Sequence, residues 1–126
     1  MTLTLSTLTI PAPWWLTSNG RYHWTDRARR TRCIRDAATL TYTGHRAPGN
    51  GPWLIVAEVA YPTTAGDVDN SQPSVKAAID GARTAGVIPD DSPKYVAGLL
   101  LRREKEKAPK GTHKITLKLI DQEVPW

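Results

Sequence analysis

At 126 residues the chain has the size of one domain, with room for a modest core. Its formal charge of +5 suits an anionic partner, and no apolar run approaches the ~20 residues that a membrane span needs. Its one cysteine, Cys33, excludes an intramolecular disulfide, nothing resembles a zinc site, and the start of the chain lacks the pattern of a signal peptide, so a cytoplasmic location is expected.

Residues 3 to 10 alternate, with Leu3, Leu5 and Leu8 set against Thr2, Thr4 and Thr7 and a slip near Ser6. That predicts a first strand, ended by Pro11 and Pro13. Trp14 and Trp15 follow, as lids on the core, a dimer contact or a platform for bases. Thr17-Ser18-Asn19-Gly20 signals a turn. Residues 21 to 35 then hold Arg21, Arg27, Arg29, Arg30, Arg32 and Arg35 among Tyr22, His23 and Trp24. A helix is predicted from near Thr25 to about Leu40, with Ile34, Ala37, Ala38 and Thr41 inward. The arginines then face outward, where they are either simply solvated or bind phosphate, whose oxygens match the guanidinium fork.

Residues 43 to 52 read as a loop, in which His45 is a solvated residue rather than a ligand. Residues 53 to 61 are almost continuously apolar, which predicts a central strand covered on both faces. Through Pro62 to Gly66 it leads to residues 67 to 91, where Asp67, Asp69, Asp80, Asp90 and Asp91 gather around Lys76. A helix is predicted here: Pro73 suits a first helical position, Asn70 or Ser71 the cap, and Gly86 a left-handed stop. Val75, Ile79 and Ala82 form its apolar stripe, and Lys76 and Asp80 project together one turn apart. If Asp67 and Asp69 lie at a strand end, they point the same way.

Clustered carboxylates repel, so a fold that gathers them calls for a cation, and oxygen ligands suit Mg²⁺, Mn²⁺ or Ca²⁺. The other reading makes the acids helix caps, turn residues and partners of Lys76 and Arg83. Residues 94 to 103 and 113 to 121 read as two strands joined by the charged turn 104 to 112. They predict a β-hairpin with Ile115, Leu117 and Leu119 inward. A basic outer surface would run along Arg102, Arg103, Lys105, Lys107, Lys110, Lys114 and Lys118, either protecting an edge or tracking DNA. The tail Val124-Pro125-Trp126 is expected to pack back or dock on a second subunit. The whole order predicts an α+β domain, a small mixed β-sheet packed by two helices.

Asp67, Asp69-Asn70, Lys76, Ala77-Ala78-Ile79-Asp80-Gly81, Ala85-Gly86 and Asp90-Asp91 follow one another in a pattern that resembles the RusA family of Holliday junction resolvases of bacteria and their phages. Ser18-Asn19-Gly20-Arg21-Tyr22-His23-Trp24 is similar to that family's N-terminal loop. The spacer Ser-Gln-Pro-Ser-Val between Asn70 and Lys76 is longer than in the best-known resolvases and closer to phage-type relatives.

The resemblance implies a single RusA-like endonuclease domain over residues 1–126 with the RusA-like resolvase fold. It implies Mg²⁺-dependent hydrolysis of phosphodiesters in four-way DNA during recombination and repair, with Mn²⁺ as the alternative ion. Asp67, Asp69, Lys76 and Asp91 are then the catalytic residues, and Asp67, Asp69 and Asp91 the metal ligands. Arg21, Arg27, Arg29, Arg30, Asn70 and Lys76 would hold the DNA. A homodimer is implied too, because symmetric cutting of a two-fold junction needs two equivalent sites. The setting would be the cytoplasm of a bacterium or of a phage-infected host. A less selective branched-DNA or flap nuclease, a non-catalytic basic nucleic-acid-binding module and a hydrolase of small phosphate esters are the other readings.

Overall fold

A computed structural model describes residues 2–122, so the expectation for the tail 124 to 126 lies outside the described residues. The elements are β1 (Thr2–Thr4), β2 (Leu8–Pro11), α1 (Trp24–Tyr42), β3 (Trp53–Ala60), α2 (Gln72–Thr84), β4 (Val96–Arg103) and β5 (Thr112–Asp121). They make an α+β fold with one mixed sheet and two helices, as the order of periodic segments predicts. None of the helices among the described residues is long and apolar enough to cross a membrane.

The sheet runs β1-β5-β3-β4, with β2 pairing β5 beyond the end of β1. The slip near Ser6 is real. Thr4 stands opposite Lys118 and Leu8 opposite Ile115, so four steps along the first chain segment answer three on β5. This extra residue is a bulge. It reverses the alternation, so that Leu3 and Leu5 before it and Leu8 and Ile10 after it all turn to the core.

The predicted hairpin of β4 and β5 does not form. β3 lies between them, parallel to β4 and antiparallel to β5. The charged turn instead crosses the end of β3, where Glu104 N–H donates to Val59 O at 2.8 Å and Ala108 N–H to Tyr61 O at 2.9 Å. The physical reason is that β3 carries the longest apolar run and satisfies both of its edges. Pairing β4 with β5 would leave one of those edges bare. The basic outer surface is accordingly not a single hairpin face.

Ile55, Ala57 and Val59 of β3 and Ile115, Leu117 and Leu119 of β5 share one core with Ile34, Ala38 and Tyr42 of α1 and Val75, Ala78, Ile79 and Ala82 of α2. Both helices therefore pack on one side of the sheet. Val56 and Ala60 point away from this core and are buried as well, as expected of a central strand covered on both faces. α1 runs beyond Leu40 because buried Tyr42 anchors its last turn. Its first turn is capped by His23, whose Nδ1 accepts from Thr25 N–H at 3.3 Å.

Under the sheet's end, the His113 ring stacks on Trp15 at 4.0 Å and meets the edge of Tyr61 at 5.2 Å. Its Nδ1 is buried without a partner. Burial, reinforced by the nearby charge of Arg103, lowers its pKa from 6.5 to about 4. As pH falls, the unfolded chain takes up this proton first, so stability present above pH 6.5 drains away toward pH 4. The slope is at most about 1.4 kcal/mol per pH unit, and roughly 2 kcal/mol in total after allowing for the ring's partial solvation. Urea unfolding at pH 7 and pH 4.5 should show His113→Phe losing less stability than the parent over that interval. An equal loss in both would mean that the ring reaches solvent and takes up its proton as readily in the folded chain as in the unfolded one.

Candidate functional site

Lys76 stands on the second turn of α2, and its spacing from Asp80 places both on one side of the helix. Nζ is 3.3 Å from Asp80 Oδ1, and it donates a short hydrogen bond to Asp91 Oδ2. Asp91 reaches it because α2 stops at Thr84, Gly86 turns left-handed at φ +83°, and buried Val87 and Ile88 fold the chain back. Asp90 shapes the same turn: its Oδ1 accepts from Asp91 N–H at 2.9 Å and lies 3.7 Å from Arg83 Nη1.

The hydrogen bond from Lys76 holds the Asp91 carboxyl below the usual carboxylate range, against the cost of desolvation. Desolvation also opposes the Lys76 ammonium, but the bond to Asp91 and the field of Asp80 outweigh it and raise its pKa. Lys76 thus keeps its charge through the neutral range.

Asp67 and Asp69 do not end a strand. β3 stops at Ala60, and Asp67 instead starts a 3-10 turn, Val68–Ser71, its Oδ1 accepting from Asp69 N–H at 3.1 Å. Ser71 Oγ donates to Val68 O at 2.6 Å rather than capping α2, and Pro73 occupies the first turn of that helix as predicted. The loop before Asp67 is held from outside. Arg103 donates to Thr63 O and Gly66 O at 2.7 Å and to Ala65 O at 3.2 Å, with its guanidinium 4.2 Å over the Tyr61 ring. Tyr61 OH in turn donates to Asp67 O at 3.3 Å. Gly66 fits only as glycine: its φ is +99°, and a Cβ would come within 2.9 Å of Tyr61. Arg103 shares its sheet face with Leu99 and Leu101, opposite Ile55, Ala57 and Val59. That phase, rather than its charge, is the signal that it faces Tyr61 and the loop before Asp67.

The N-terminal loop is tied to the start of α2. Leu16 N–H donates to Ser74 Oγ, and Ser74 Oγ donates back to Leu16 O, both at 2.8 Å and buried. Ser18 N–H donates to Asn70 O at 2.9 Å. The segment that leads into the arginines is thereby fixed beside Asn70 and the first turn of α2. The sequence carries no sign of the part played by Ser74, a small polar residue inside an apolar stripe.

The arginines divide by environment. Arg29 and Arg30 both grip Asp26, at 2.8 and 2.9 Å, and Arg30 also donates to Trp15 O at 3.0 Å. Arg27 and Arg30 lie over the Tyr22 ring, at 5.4 and 5.1 Å. Arg21 and Arg27 are exposed, and among the described residues no carboxylate lies within ion-pair distance of either. Trp15 belongs to the core and Trp14 is half-buried, which leaves neither as a platform for bases.

The expected ligands are all carboxylate oxygens, a donor set that suits Mg²⁺ or Mn²⁺. The structure brings Asp80 and Asp91 together on Lys76, and Asp67 and Asp69 together in one turn. Among the described residues it does not gather three His, Cys, Asp or Glu side chains in one place suited to a metal ion. The Lys76 ammonium engages one of the two Asp91 carboxylate oxygens, Oδ2. No family model and no curated protein matches the chain.

Proposed function

We propose that the chain is a structure-specific endodeoxyribonuclease of the RusA type, which resolves four-way DNA in a bacterial or phage-infected cell and acts as a homodimer. The observation that carries this reading is the pair of ties from Leu16 to Ser74 and from Ser18 to Asn70. They set the loop leading to Arg21 and Arg27 against the turn that carries Asp67, Asp69 and Asn70 and against the first turn of α2, one turn before Lys76. A polyanion held by those arginines would meet the acidic and lysine groups with its backbone phosphates.

Mg²⁺ is the proposed cofactor, with Mn²⁺ as the alternative, and Asp67, Asp69 and Asp91 are its proposed ligands. Bound there, the ion would supply an activated water and polarise the scissile phosphate. Lys76 has the charge to stabilise the pentavalent transition state, and it would release Asp91 as it turned to the phosphate. Asp80 would keep the ammonium in place during that exchange. Arg21 and Arg27 would hold the DNA backbone, with Arg29 and Arg30 contributing charge from around Asp26, and Asn70 would fix the loop. Such contacts make binding fall steeply with salt and carry little sequence information.

The hold of Lys76 on Asp91 also favours a second reading, a basic DNA-binding module whose acids are structural. Cleavage of a labelled four-way junction and of linear duplex of the same sequence, in Mg²⁺ and in EDTA, separates the readings. Paired symmetric cuts in the junction alone, present only with Mg²⁺, are the expected result. Equal cutting of linear duplex would reduce the activity to a less selective nuclease. Tight binding without cutting in Mg²⁺ or Mn²⁺ would overturn the catalytic reading in favour of the binding module.

A further inference from the structure

Three of the four tryptophans among the described residues are packed: Trp15 and Trp53 are buried and Trp14 is half-buried. Trp24 is 75% exposed, at the first position of α1. An indole left in water forgoes one of the largest burial gains a side chain offers, so its placement calls for a partner. The His23 ring lies beside it at 5.8 Å. Arg21 and Arg27 flank it in sequence, and Arg27 shares its side of the helix at a three-residue spacing. Both arginines are exposed and free of carboxylates among the described residues.

The chemistry of the patch is an exposed flat ring with a cation on either side of it in the chain, Arg27 being held over the Tyr22 ring. The other large exposed apolar residue of α1, Leu40, lies sixteen positions on, about 24 Å away along the axis. Arg27, Arg32 and Asp36 stand exposed between them, so no continuous apolar stripe exists for a protein helix or strand to cover. An isolated ring flanked by cations matches a ligand that presents a flat π face and negative charges a few ångströms apart. Nucleic acid does so wherever a base is unstacked. Within a continuous duplex both faces of every base are taken by their neighbours.

We propose that Trp24, with Arg21 and Arg27, forms a stacking site for an unstacked DNA base, as found at a branch point or in a single strand. The site rests on the DNA-directed reading above and deepens it. The arginines bind DNA of any shape through phosphate, whereas Trp24 adds affinity only where a base face is free. Selection of branched over linear DNA thereby has a source in the binding surface, separate from the chemistry of the acids.

The test is binding in EDTA, where no cutting interferes. A four-way junction, a single strand and a blunt linear duplex are each titrated with the parent protein, Trp24→Ala and Trp24→Phe. Trp24→Ala should weaken junction and single-strand binding about tenfold, in the range of one base stack on an aromatic ring. Duplex binding should change less than about twofold, and Trp24→Phe should retain most of the affinity. Equal weakening on all three DNAs, or none on any, would overturn the proposal. So would a Trp24→Ala protein that sediments as a monomer where the parent sediments as a dimer, because the ring would then belong to a protein interface. A parent that binds junctions through Trp24 yet cuts nothing in Mg²⁺ would refute the nuclease reading alone, and one that cuts junctions while Trp24→Ala binds them unchanged would refute this site alone.

Discussion

Lys76→Met is expected to slow junction cleavage by about 10²–10³-fold, the range seen when one preorganised charge donor to a transition state is removed. Junction binding in EDTA should stay within a few-fold, since the arginines supply most of the phosphate contacts. Folding should change little, because the Lys76 side chain is 49% exposed and its ion pairs with Asp80 and Asp91 are partly solvated. The variant has a second consequence that a purely structural lysine would not produce. Methionine frees Asp91, whose carboxyl Lys76 now occupies. If Asp91 is a metal ligand, calorimetric titration should show Mg²⁺ or Mn²⁺ binding more tightly to Lys76→Met than to the parent, while turnover falls. Tighter binding with lower activity would assign the lysine to the reaction and Asp91 to the ion. Unchanged metal binding would remove Asp91 from the ligand set.

Gly81→Val should lower stability by about 3 kcal/mol, enough to lower the melting temperature by roughly 10 °C in a domain of this size. Glycine inside a helix is ordinarily a cost, and replacing it with alanine gains up to about 1 kcal/mol. Here the sign reverses. α1 and α2 cross at Gly81, and a Cβ there would fall 2.7 Å from Arg35 O and against the Ala38 methyl. Neither obstacle is the free end of a flexible side chain, so the helices themselves must separate. Thermal unfolding of Gly81→Ala and Gly81→Val would check this: a stability that rises with alanine and is unchanged with valine would show that the crossing has slack. Because Asp80 adjoins the crossing, a separated pair should also disturb the Lys76 group, and the valine variant should lose activity below its melting point.

Much of this architecture is legible in the chain. The alternation of Ile115, Leu117 and Leu119 marks β5 because one face of that strand is buried and the other solvated. The four-residue step from Lys76 to Asp80 marks their contact because helical geometry is local. What is hidden depends on partners remote in sequence. Neighbouring strands 96–103 and 112–121 suggest a hairpin, and nothing local reveals that β3 takes both as neighbours. Asp91 lies fifteen residues from Lys76, beyond any helical repeat, so its return is a product of the turn and of buried Val87 and Ile88. Charge alone groups Arg103 with the outward cations, whereas its phase with Leu101 points it to the Asp67 loop. Trp15 and Trp24 are both large rings near turn and helix-start signals, and only the packing shows that one is core and the other surface.

The position of β5 has a consequence for how the chain is made. Among the described residues β1 and β2 pair with no strand but β5, and β3 has β5 as its antiparallel neighbour as well. A ribosome delivers these strands in the opposite order to that need. Leu5, Leu8 and Ile10 emerge before their partner and have no sheet to join until residues 112–121 have followed. Over that interval the nascent chain carries an unpaired, apolar, strand-prone segment, the kind of surface that holdase chaperones bind and that aggregates when crowded. Slowing translation would lengthen that exposure rather than help the domain to fold.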